Sequence, residues 1–185
     1  MKPLAELCKP DRRQHGTVGT AADYHALLEA LVLIDAVPDD VRTQFDVARN
    51  LMLYGWFVYE FYTVSSDHAY KCLELGLRKA CEVLAGGADH CKEVKKSRGL
   101  SCYLTYLKTK GIIPAGRYHE RIEMFLPMLR NDAAHGSDAL LNFALAMPDL
   151  ELVADLLNNV FSSNEVKAAQ EAGQASANSS GGCFS

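Results

Sequence analysis

Cationic residues are scarce in this 185-residue chain: 19 Lys and Arg stand against 23 Asp and Glu, a formal net charge of -4. Bulk affinity for nucleic acid normally comes from an excess of Lys and Arg, so any contact with RNA must be local, made by a few focused charges. Long apolar runs are missing too; no stretch of about 18 uninterrupted apolar residues occurs, which argues against a helical membrane span. The N-terminus is without the basic-then-apolar layout of a signal peptide, and a cytoplasmic location with no membrane partner is expected. Six cysteines, at 8, 72, 81, 91, 102 and 183, form no C-x-x-C pair and fit no zinc-finger spacing. Cys72 and Cys81 fall among apolar helical positions, where a free thiol behaves as a small core residue. No disulfide framework is expected. Cys183 is third from the end, so it makes no prenylation box. Apart from His135, the histidines at 15, 25, 68, 90 and 119 form neither H-x-x-x-H nor H-E-x-x-H, and His90-Cys91 is a pair with no second half, so no metal ligand set and no cofactor is expected. Gly86-Gly87 is followed by no Lys-Ser/Thr, which argues against a phosphate-cradling loop, and there is no nucleophile elbow.

About half of the residues are apolar, enough for one sizeable core. Residues 1–19 carry Pro3, Pro10, Gly16 and Gly19 without apolar period and read as a flexible arm, and 163–185 read as a low-complexity, disordered tail. Between them, 20–162 has helical periodicity throughout and no credible strand, which predicts an all-α antiparallel bundle of five to six helices. Thr20 and Asp23 cap a first helix, with Tyr24, Leu27, Leu28 and Leu31 on one face, ending near Val37-Pro38. A second helix is expected over 39–61 with two apolar stripes, Val41-Phe45-Ala48-Met52-Trp56 and Val47-Leu51-Tyr54-Val58-Tyr62. Such a helix is either central to the bundle or meets another subunit with its second face. Ser65, Ser66 and Asp67 read as a break and N-cap before a third helix carrying Ala69, Leu73, Leu77, Ala80 and Leu84, stopped at Gly86-Gly87. A brief helix around Leu100 to Leu107 closes at Gly111. Tyr118 to Ala133 forms another, kinked at Pro127, and Pro148 divides the last.

The segment Arg130-Asn131-Asp132-Ala133-Ala134-His135-Gly136 concentrates the chemistry. Arg130 stays protonated and offers a planar fork to phosphate oxygens, while an imidazole such as His135 has a reference pKa of about 6.5, suited to proton transfer. Asn131 can orient substrate or ring. Five residues advance a regular helix by about 500°, leaving the pair roughly 140° apart in phase. Either the turn at Gly136 or the kink at Pro127 redirects one side chain, or copies from two subunits face each other. Structural roles also suit them: a helix-end cation for His135, an ion pair for Arg130 and a helix-end hydrogen bond for Asn131. Glu74 shares a face with Tyr70, Leu77 and Cys81, which suggests partial burial. Its partner is Arg130 or His135, or else Arg78 on its own helix. Arg49-Asn50 repeats the start of the motif without the histidine; Arg49 is structural, or lies at a cleft rim. Lys92, Lys95, Lys96 and Arg98 form a basic patch in a polar connection, or an ordinary solvated loop.

R-N-x-x-x-H-G in the second half of a helical chain resembles the signature of HEPN domains. Residues 46–59 and 70–77 resemble the two long helices that precede that motif, and 104–107 with 111–113 its short connecting helix; the likeness spans roughly 39–160. The resemblance implies a HEPN-like bundle, a homodimer with a composite cleft, and a metal-independent endoribonuclease using Arg130 and His135 of the motif with its Asn131; Glu74 and Arg49 are supporting candidates from their own positions in the chain. Such enzymes occur in toxin and antiphage systems with a cognate antitoxin or regulatory protein, while other members only bind nucleotides or partners. In members silenced by nucleotide transfer, a tyrosine lies two residues beyond the histidine; here that position is Ser137, so silencing of that kind is not expected.

Overall fold

A computed structural model describes residues 2–14, 19–86, 88–114 and 140–180, with side chains to 175. All of its regular elements are helical: α1 (Ala21–Ala30), α2 (Asp39–Tyr54), α3 (Phe61–Ala85), α4 (His90–Glu93), α5 (Leu100–Thr109), α6 (Phe143–Ser162) and α7 (Asn164–Ser180), preceded by two 3-10 turns. No strand occurs among the described residues, and none of their helices is long and apolar enough to cross a membrane.

α3 is the hub, packed against α2, α4, α5, α6 and α7. Its small and apolar residues explain the role: Ala69, Leu73, Leu77 and Ala80 are all but fully buried, and at Gly76 a Cβ would collide with Leu157 of α6. The matching stripe of α2, Val41-Phe45-Ala48-Met52, is buried against it, as the 3.6-residue period requires. In the second α2 stripe, by contrast, Val47 and Tyr54 are exposed.

Several boundaries differ from the expectation. The first helix ends at Ala30 rather than near Val37, because Asn158 of α6 captures the following segment, accepting from Ile34 N at 2.9 Å and donating to Val32 O at 3.0 Å. The chain turns at Gly55, not at Ser65 to Asp67. A Cβ at Gly55 would overlap the Tyr62 ring, whereas Ser65 and Ser66 lie buried inside α3 with their hydroxyls donating to Ala48 O and to Asp149. α6 runs unbroken through Pro148. Proline removes its own N–H and crowds the Ala144 carbonyl there, and apolar burial from Phe143 to Val160 holds both halves in line.

Both expected tails are folded onto the bundle where they are described. Asp11 N donates to Trp56 O, and the buried Gln14 amide donates to Gly55 O and to the Tyr62 hydroxyl at 2.9 Å, so residues 2–14 are not a free arm. Low complexity after Ser163 concealed a helix-forming composition of Glu, Lys, Ala and Gln. In α7, Val166 is fully buried and Gln170 donates to Ala36 O.

Candidate functional site

Arg130, Asn131 and His135 lie in 115–139, outside the described residues, as does the expected helix from Tyr118. The chain on either side is anchored: Ile112 and Ile113 are buried with their amides on Leu107 O, and Leu141 N donates to the Thr63 hydroxyl at the start of α3.

Glu74 does not have the partial burial expected of it. It is exposed, because the buried arc of α3 is centred on Leu73 and Leu77 and Glu74 stands about 100° on from Leu73. Arg78 pairs with Glu82 at 3.9 Å rather than with Glu74. A Cβ at Gly99, the N-cap of α5, would lie 4.0 Å from the Glu74 Oε1.

Arg49 performs a structural task. Its Nε and one Nη donate to Leu28 O at 2.9 and 2.6 Å, at the end of α1, and its other Nη binds Asp46 at 2.6 Å. It also borders a shallow hollow of about 330 Å³ with Arg42, but the carboxylates of Asp39 and Asp46 share that rim and oppose an anionic ligand. A larger hollow of about 980 Å³ lies beside the N-terminal turns, with Lys2, Lys9 and Arg12 on its wall. There Arg13 is already held by Asp11 and Glu60 and stacks over the Tyr59 ring at 4.4 Å. The patch at Lys92, Lys95, Lys96 and Arg98 is largely solvated, with Lys92 near Asp89 and Lys96 donating to the Ser101 hydroxyl.

Two buried polar groupings escaped the reading of the sequence. Asp149 of α6 is only 4% exposed and accepts from the Ser66 hydroxyl and, at 2.8 Å, from the Tyr70 hydroxyl of α3. Its only local signal is an acid among apolar neighbours, between Met147 and Leu150.

The second grouping is His90, Cys91 and Cys102, all buried. α4 was expected to be part of a loop. It forms because Asp89 caps it, accepting from the amides of Cys91 and Lys92. Cys91 and Cys102 form a disulfide across α4 and α5 with Cα atoms 5.7 Å apart, so the missing second half of the His90-Cys91 pair is Cys102. An imidazole nitrogen and both sulfurs lie within 4.8 Å of one another, the only such ligand-type cluster among the described residues. The other buried thiols differ. Burial pushes Cys72 and Cys81 up to about 12, and they donate to Val41 O and Tyr103 O, as inert core residues do. A histidine-cysteine pair and a third ligand eleven residues away is too loose a spacing to flag in a sequence.

No family model, curated protein or solved structure matches the chain.

Proposed function

We propose that the chain is a HEPN-type, metal-independent endoribonuclease acting as a homodimer in a toxin or antiphage system. The observation that carries the reading is the Arg130-Asn131 to His135-Gly136 segment in a chain whose described elements are all helical. RNA brings its own nucleophile, the 2′-hydroxyl next to the scissile phosphate. Cleavage needs that hydroxyl deprotonated, the leaving 5′-oxygen protonated and the charge on the phosphoryl oxygens stabilised. His135 moves the protons, Arg130 holds the phosphoryl oxygens, and Asn131 orients substrate or ring. The products carry 2′,3′-cyclic phosphate and 5′-hydroxyl ends, and DNA resists. Glu74 and Arg49 are outside this proposal, since one is exposed on α3 and the other is committed to α1.

A second reading, a non-catalytic nucleotide-binding or protein-interaction module, draws on the net charge of -4 and on the carboxylates that border both hollows. Incubating the purified protein with transfer RNA and messenger RNA in EDTA separates the two. The nuclease cleaves under chelation, leaves cyclic-phosphate ends and loses activity in His135→Ala and Arg130→Ala. Intact RNA with folded wild-type protein favours the module.

A further inference from the structure

We propose that His90, Cys91 and Cys102 are the ligands of a redox-gated site for a thiophilic closed-shell cation, Zn(II) or Cu(I), which replaces the Cys91–Cys102 disulfide when the two thiols are reduced. The site is separate from the motif above and does not depend on the nuclease reading.

Geometry comes first. Metal bonds of about 2.0–2.3 Å place trigonal or tetrahedral ligands about 3.3–4 Å apart, and the three donor atoms here already lie within 4.8 Å of one another. Once the sulfur–sulfur bond is gone, side-chain rotations must part the two sulfurs, and Cα atoms 5.7 Å apart allow that. The donor set is also selective. Two thiolates and an imidazole match soft and borderline ions, and the cluster offers none of the oxygen ligands that Ca(II) or Mg(II) demand.

His90 supplies an independent observation. It is 7% exposed, and its Nε2 is buried with no hydrogen-bond partner. A buried nitrogen without a partner is costly unless something else satisfies the imidazole. Coordination through Nε2 removes that cost, because the ion becomes the partner of that nitrogen and the proton stays on Nδ1. The ring is held by packing against Tyr103 and Tyr106, with centroids 5.6 and 5.5 Å away, and Cys102 is fully buried on α5. The Asp89 cap fixes the amide of Cys91, and with it the direction of α4. The ligands are therefore preset by the fold rather than gathered by the ion.

The exchange balances with a small thiol as reductant. Two such molecules reduce the disulfide through a mixed disulfide and leave as their own disulfide, with two S–H groups remaining on the protein. The cation then displaces both thiol protons and takes the lone pair of the neutral imidazole. Oxidation by a small-molecule disulfide of the same class reverses these steps and releases the ion.

The test uses full-length protein in both redox states without oxygen. After reduction by a phosphine and its removal, Zn(II) and Cu(I) are titrated separately against chromophoric chelators, with the oxidised wild type alongside. Reduced protein is expected to bind one ion per chain with release of two protons, and oxidised protein to bind none. The cation retained against the stronger chelator identifies the occupant. His90→Gln should bind at least about 100-fold more weakly, while Cys8→Ser at the exposed thiol binds as wild type. The oxidised wild type needs no substitution, so a misfolded cysteine variant cannot obscure the outcome. Equal binding in both redox states, no retention by the reduced protein, or undiminished affinity in a folded His90→Gln overturns the proposal.

Discussion

Arg49 closes the end of α1 with a charge-assisted bond to the Leu28 carbonyl, which also accepts from the Leu31 amide of the last turn. Removing the guanidinium leaves that carbonyl with the Leu31 amide alone, unties α2 from the end of α1 and frees Asp46. Arg49→Ala is expected to lower stability by about 1.5–3 kcal/mol, read from urea unfolding, with RNA cleavage per folded molecule unchanged. Lost cleavage at retained stability would instead place Arg49 at the substrate. Asp11 acts on stability through pH. The Arg13 side chain, and then the Arg13 and Tyr59 amides, hold its carboxyl well below the usual range against the opposing effect of burial. A depressed folded value means the stabilisation is complete above the unfolded value, about 3.9, and declines as pH falls through the interval below it. The melting temperatures of wild type and Asp11→Asn should therefore differ by a constant amount near neutrality and converge steadily from about pH 4 towards pH 2. A gap that stays constant to pH 2 would show that the carboxylate is not the source.

The seam between α3 and α6 depends on a carboxylate that two hydroxyls address. Asp149→Ala leaves both hydroxyls without that acceptor in a buried place and is expected to cost about 2–4 kcal/mol. Asp149→Asn retains one carbonyl acceptor and should cost less, and urea unfolding of the two variants gives the order. Equal costs would mean that packing rather than hydrogen bonding dominates the seam. The same seam explains why helix interiors were easier to read than their ends. Stripes such as Val41-Phe45-Ala48-Met52 and Leu150-Val153-Leu157-Val160 are set by a local period, and burial follows it. Ser66 looked like a helix start because serine favours caps, but its partner is 83 residues away, and no local pattern contains that information. Gly55, the actual break and the C-cap of α2, is a residue that favours helix ends, but apolar residues continue on both sides of it; what fixes the turn there is the Tyr62 ring seven positions on. Cys91 meets Cys102 for a comparable reason, since the connection between them turns through Lys95 and Gly99, both at positive φ.

At the scale of the whole molecule, α3 gathers the other long helices around one core, while Val47 and Tyr54 of α2 and Val64 of α3 remain at the surface. Exposed apolar side chains of this kind are compatible with a second copy of the chain, and the proposed chemistry requires one if Arg130 and His135 stand roughly 140° apart on a regular helix. An acidic chain must meet RNA with few phosphate contacts, so bringing cations together from two subunits also concentrates charge that neither subunit has in excess. The arrangement has a consequence that single variants cannot show. Arg130→Ala and His135→Ala subunits, each inactive alone, should regain cleavage when co-expressed, because a mixed dimer holds one cleft with an intact arginine from one chain and an intact histidine from the other. Recovery should appear only in the heterodimer fraction isolated by two different affinity tags, and it should be absent from a heterodimer of wild type with an Arg130→Ala, His135→Ala double variant, in which neither composite cleft holds both groups. If the isolated heterodimer stays as inactive as its parents while wild type cleaves, each centre is built within a single chain, and the bundle must bend the motif to bring its guanidinium and imidazole together.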